Sequence, residues 1–150
     1  MKRTSFVPES FDVPPSLETS RFRLRMLSVG DVEKDYEAVI ESRGLLHSTG
    51  SSWPREGFTI EENLADLERH QQEFLDRKAF AYTVVSLAED RVLGCVYINP
   101  VEHDEADAQV FMWVRQSEYD KGLDAVLFKA VRDWLDSSWP FRVVIYPGRE

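Results

Sequence analysis

The chain has 150 residues, 43% of them hydrophobic and 30% charged, which suits one domain around a single core and is too short for two ordinary domains. Its formal charge is −9, from 18 basic and 27 acidic side chains interspersed with apolar ones. That balance argues against a nucleic-acid surface and a disordered acidic tail, and favours neutral or cationic partners. The one cysteine, Cys95, sits in an apolar run; it excludes an internal disulfide, gives no metal-ligand spacing, and makes a reducing cytoplasm the default location with no metal expected.

Residues 1–20, with Pro8, Pro14 and Pro15, read as an extended arm ahead of a single domain at 21–150. The arm lacks the continuous apolar stretch of a signal peptide, and no run reaches membrane-spanning length, so no membrane partner is expected. From Arg21, Phe22, Leu24 and Met26 alternate with Arg23 and Arg25, predicting a half-buried strand with a basic outer face. Val32, Tyr36, Val39 and Ile40 then follow helical spacing, with Ser28 or Asp31 as N-cap. The segment Arg43 to Gly57 is rich in Gly, Ser and Pro and predicts a long loop.

Thr59 and Glu62 are spaced as a capping box for a second helix, whose apolar face carries Leu64, Leu67, Gln71 and Phe74. Three strands follow, at Phe80 to Leu87, Val92 to Val101 and Ala108 to Arg115, joined by polar turns into an antiparallel meander. Leu123 to Leu135 has the cleanest helical period of the chain, and Arg142 to Tyr146 supplies a last strand. The unit from Ala108 to Tyr146 is expected to be a right-handed crossover between parallel strands. A strand that empties through a short loop into a helix N-terminus is also a common seat for anionic ligands.

These pieces, in this order, resemble the GNAT superfamily of acyl-CoA-dependent N-acetyltransferases, in its ribosomal-protein-alanine acetyltransferase-like branch. LETSRFRLRML is similar to the first strand of that branch, RVLGCVYINP to its third, with Gly94 at a usual glycine, and AQVFMWVRQSEYDKGLDAVLFKAV to the fourth strand, pyrophosphate loop and third helix. The resemblance covers residues 17–147. It implies an α+β fold: a mixed, mainly antiparallel sheet of about five strands flanked by three helices.

It further implies acetyl-CoA as co-substrate and a small-molecule or peptide amine as acceptor, attacked directly. By resemblance Trp113, Val114 and Arg115 lie along the pantetheine, and Lys121, Gly122 and Leu123 meet the pyrophosphate at the helix start. Three departures stand out. Measured from Tyr119, YDKGLD is one residue shorter than the family's loop and lacks its first glycine; Asp124 replaces a Gly or Ala, so weak acetyl-CoA binding is expected. The helix and two strands that normally follow the fifth strand do not appear, and with them goes the tyrosine that often serves as general acid; no tyrosine carries over to that role, Tyr146 and Tyr119 are nearby phenols, and Tyr119 is the catalytic candidate. Gln109 stands where several relatives place a catalytic Glu, so His103 with Asp107 in the acidic turn HDEAD becomes the candidate base.

Plainer readings accompany these. The turn around His103 also reads as a solvated polar loop, His70 as a surface residue on a charged helix, and Trp134 and Cys95 as core. His47 lies in the long loop, where a substrate contact is an option. Two functions therefore compete: an N-acyltransferase, and a GNAT-like binding or assembly module without catalysis. A homodimer through the apolar C-terminal edge strand is a further expectation.

Overall fold

Every residue of Phe80–Val85 is buried, which explains why that run shows no polar alternation: the strand is covered on both faces. The computed structural model describes residues 5–48, 50–102 and 105–149. In chain order its elements are β1 (Ser16–Glu18), β2 (Arg23–Met26), α1 (Val32–Glu41), α2 (Arg43–Ser48), α3 (Ile60–Leu75), β3 (Phe80–Val85), β4 (Val92–Asn99), β5 (Ala108–Val114), α4 (Gln116–Tyr119), α5 (Leu123–Ser138) and β6 (Val144–Ile145). The sheet runs β1-β2-β3-β4-β5-β6, antiparallel throughout except for the parallel pair β5/β6 that α5 connects.

Alternate side chains of the sheet feed two cores. On one face Leu24, Tyr82, Val96 and Val110 pack with Leu127, Val131 and Trp134 of α5. On the other, Ala81, Val85, Cys95 and Trp113 pack with Ala38 and Val39 of α1, Leu46 of α2 and Leu67 of α3. The arm closes the α5 side: Phe6 and Val7 are buried there, Arg77 donates to the Pro8 and Phe11 carbonyls at 2.8 and 3.0 Å, and the Tyr82 hydroxyl donates to the Pro14 carbonyl at 2.7 Å.

The fold class is the expected one, with differences in its short pieces. The sheet has six strands rather than about five, because the end of the arm forms β1. Thr19 makes that hairpin: its hydroxyl accepts from the amides of Arg21 and Phe22, both at 3.1 Å. Three residues after a Pro-Pro pair are too few to show a period. Five α-helical segments replace the expected three. Arg43–Ser48 is helical although Gly44 and Ser48 suggested a loop, since Leu46 is buried against the core. The rest, 50–57, is irregular as expected.

Ser28 caps a single 3-10 turn at Val29–Asp31, its hydroxyl accepting from the Gly30 amide. The Asp31 carboxylate makes no cap; it holds Arg25 at 2.6 and 3.0 Å. Thr59 caps α3 by accepting from the Glu62 amide at 3.2 Å, while the Glu62 carboxylate turns outward to Arg55. No helix is long and apolar enough to cross a membrane among the described residues.

Candidate active site

The two parallel strands pair only at Ala108 with Val144 and Gln109 with Ile145, and then separate. Beyond that point β5 has β4 on one side and a gap on the other. The gap opens into a cleft of about 1140 Å³ that passes over the sheet face beneath α1, α2 and α3. Gly94 keeps β5 in place on its β4 side: a Cβ there would lie 2.1 Å from the Trp113 carbonyl oxygen. Only a glycine permits that approach.

At the gap end, the Met112 carbonyl accepts from Arg149 Nη2 at 3.1 Å, and the same guanidinium pairs with the Asp124 carboxylate at 2.7 and 2.9 Å. By strand alternation Val114 presents its amide to the same side as Met112, so it faces the gap. Trp113 has its side chain in the cleft, where its indole N–H donates to the Tyr97 hydroxyl at 3.1 Å. Arg115 points elsewhere. Its guanidinium is buried and donates to Glu41 at 3.1 and 2.7 Å, to Glu37 at 2.8 Å and to the Val92 carbonyl at 3.1 Å. Hydrogen bonds from Arg115 and Ser117 hold the Glu41 carboxyl down at about 2.

The segment YDKGLD takes a form the sequence did not announce. Residues Gln116–Tyr119 coil into α4, and Asp120 continues that turn with right-handed backbone (φ −62°). The amides of Gln116 and Ser117 are taken by the Ser42 hydroxyl and the Glu41 carboxylate. Those of Glu118, Tyr119, Asp120, Lys121 and Gly122 bond carbonyls three or four residues back. Gly122 alone is left-handed (φ 87°), which ends this turn and starts α5. The free amides are thus the first-turn donors of α5, beginning at Leu123, whose side chain is buried beneath the helix. Lys121 is exposed, 3.7 Å from the Glu118 carboxylate.

Tyr119 lies on the cleft wall and is largely exposed. Asp107 lies at the far end of β5, where its carboxylate accepts from the amides of Arg142 and Val143 at 2.7 and 3.0 Å and fixes the turn into β6. The seven residues of β5 hold Asp107 and Tyr119 about 20 Å apart, so the two are not brought together. His103 lies outside the described residues.

The cleft floor holds a pair that sequence reasoning passed over. Asp35, on α1, is buried and its carboxylate accepts from Asn63 Nδ2 of α3 at 2.9 Å; both residues line the cleft. Burial pushes the Asp35 carboxyl up to about 6, with Asp31 and Asp66 adding to the rise and Asn63 opposing it. Asn63 Oδ1 is buried without a partner. The signal was present in the helical period: Asp35 falls on the apolar stripe of Val32 and Val39, and Asn63 on that of Leu67 and Phe74. A polar residue on a buried stripe is a site candidate.

Aromatic rings wall this floor. The Trp53 ring lies 6.4 Å from that of Trp113, and the His70 ring 5.2 Å from that of Tyr97. His70 therefore faces the cleft rather than solvent; burial, and then Arg69, lower its pKa. Cys95 lies beneath in the core, and burial pushes up both its thiol and the Tyr97 hydroxyl. Among the described residues no group of His, Cys, Asp or Glu side chains is placed to hold a metal.

No family model matches the sequence, and no curated protein does. Solved structures do. The chain is similar to the ribosomal-protein-S5-alanine acetyltransferase from Vibrio fischeri, with a TM-score of 0.66, 21% identity, and 83% of this chain and 67% of that chain covered. It is similar also to the ribosomal L7/L12 alpha-N-protein acetyltransferase RimL in complex with coenzyme A (0.63, 16%, 82% and 66%). A third is the microcin C7 self-immunity acetyltransferase MccE in complex with acetyl-CoA and AMP (0.63, 16%, 85% and 70%). The chain spans about two thirds of the length of the first two of these. At such identities the likeness is one of fold, and the fold of this chain is that of the GNAT acetyltransferases.

Proposed function

We propose that the chain is an N-acyltransferase that moves an acetyl group from acetyl-CoA to an amine held in the cleft. The observation that carries this reading is the parting of β5 from β6 after two residue pairs, directly onto a cleft with a buried carboxyl at its floor. An extended thioester arm lying in that gap would meet the Val114 amide, and the first-turn amides of α5 would meet its phosphates. Neutral amine attacks the thioester carbonyl, the N–C bond forms, and the C–S bond breaks to release the thiol. Alignment of the two reactants and donors to the carbonyl oxygen supply much of the rate.

Binding of acetyl-CoA should be weak. The loop amides are occupied by Glu41, Ser42 and the turns of α4, and the Asp124 carboxylate in the first turn of α5 engages Arg149, the cation at that helix end. The same occupancy favours the second reading, a binding module that does not use acetyl-CoA. Calorimetric titration with acetyl-CoA and with free CoA separates the two. The acyltransferase reading expects saturable binding with a Kd above about 100 μM, near −5 kcal/mol; absence of any response at millimolar acetyl-CoA supports the module.

A further inference from the structure

The floor of the cleft sets two acceptors side by side, the Asp35 carboxylate and Asn63 Oδ1. The Asn63 amide gives its Nδ2 to the Asp35 carboxylate. What remains is that carboxylate and Asn63 Oδ1, which is buried and has no partner. A buried acceptor without a donor is costly, and its natural complement is a group that only donates. An ammonium is such a group.

We propose that Asp35 and Asn63 form the floor of a subsite for a small arylalkyl amine, bound as its ammonium ion with its ring among Trp53, Trp113, Tyr97 and His70. The polar atom of one aromatic wall is already used: the Trp113 indole N–H is bonded to the Tyr97 hydroxyl. A peptide N-terminus fits less well, because its first carbonyl lies next to the amine and would be set toward the two acceptors, Asp35 and Asn63 Oδ1. Ring faces additionally attract a cation as it enters. The charge near the floor is mainly acidic, with Asp66 of α3 beside Asp35 and the neutral His70 further along.

Within the acyltransferase reading, on which the transfer step but not the binding step rests, this amine is the acceptor. The ammonium gives one proton to the Asp35 carboxylate and attacks as free amine. The second N–H proton accompanies formation of the amide, leaving with the thiol, and Asp35 returns its proton to solvent.

The test is calorimetry of the full chain with phenethylamine, without acetyl-CoA. Saturable binding is expected, at least tenfold weaker for 2-phenylethanol, which keeps the ring and loses the cation. Asp35→Asn, nearly isosteric, should weaken phenethylamine at least tenfold while circular dichroism stays unchanged; Trp53→Ala, on the irregular segment, should weaken it about fivefold and covers the case in which the first variant does not fold. Lys129→Ala on α5 should have no effect. Equal affinity for the alcohol, undiminished binding by Asp35→Asn, or tighter binding of an alanyl peptide would each overturn the inference. Amine binding without any response to acetyl-CoA would leave it standing and remove the acyltransferase reading instead.

Discussion

Two carboxyls of α1, six residues apart, respond to pH in opposite directions. Asp35 has its folded pKa raised from 3.8 to about 6 by burial, so its ionisation works against the fold. That penalty is absent below the unfolded value, grows as pH rises through 4 to 6, and is complete above 6. A shift of about two units corresponds to roughly 3 kcal/mol. Glu41 is held down at about 2 by Arg115 and Ser117, so its contribution is present above the unfolded value of 4.5 and lost as pH falls toward 2. Asp35→Asn should therefore be more stable than the parent at pH 7.5, by up to about 3 kcal/mol, with the difference vanishing near pH 4. Urea unfolding at the two pH values measures it, and a variant less stable at pH 7.5 would show that the carboxylate stabilises the fold. A residue that weakens its own fold at neutral pH is retained more readily for binding than for structure.

At the scale of elements, the unit from β5 through α4 to α5 explains both what the sequence revealed and what it hid. The period of Leu123, Leu127 and Val131 announced α5, and an apolar run announced β5, because each buries a face. The form of YDKGLD was hidden, since it depends on partners distant in sequence: Glu41 and Ser42 at the end of α1 take the amides of Ser117 and Gln116. Arg115, expected along an extended thioester arm, is drawn to the same acidic helix end by Glu37 and Glu41. The Asp124 carboxylate was visible in the sequence, but its pairing with Arg149 was not. Asp124→Ala removes a negative charge from the first turn of α5 and releases Arg149 toward an incoming anion. The expected outcome is a Kd for acetyl-CoA and for free CoA lower by roughly fivefold, about 1 kcal/mol, in low-salt calorimetry. Unchanged affinity for both would mean that the phosphates do not approach this helix end.

Across the whole molecule, the sheet separates stability from the candidate chemistry. Its α5 face holds the larger cluster, closed by the arm through Phe6, whose ring stacks 5.7 Å from Phe80 and 5.2 Å from Phe141. Its other face holds the smaller cluster and the cleft, with Asp35 and Asn63 between α1 and α3. The sheet and its helices were readable because burial repeats with the period of each element. The arm was read only as extended, since its prolines gave no period and its docking depends on Arg77 and Tyr82 more than sixty residues away. The separation can be tested from the arm. Phe6→Ala leaves a cavity on the α5 side and should cost about 3 kcal/mol, near 10 °C in Tm for a chain of this size. Because the six-stranded sheet stands between Phe6 and Asp35, phenethylamine affinity measured well below the lowered Tm should stay within about twofold of the parent. A parallel loss of stability and affinity would mean that the two faces of the sheet respond as one, and that the cleft is shaped by the arm as well as by the helices above it.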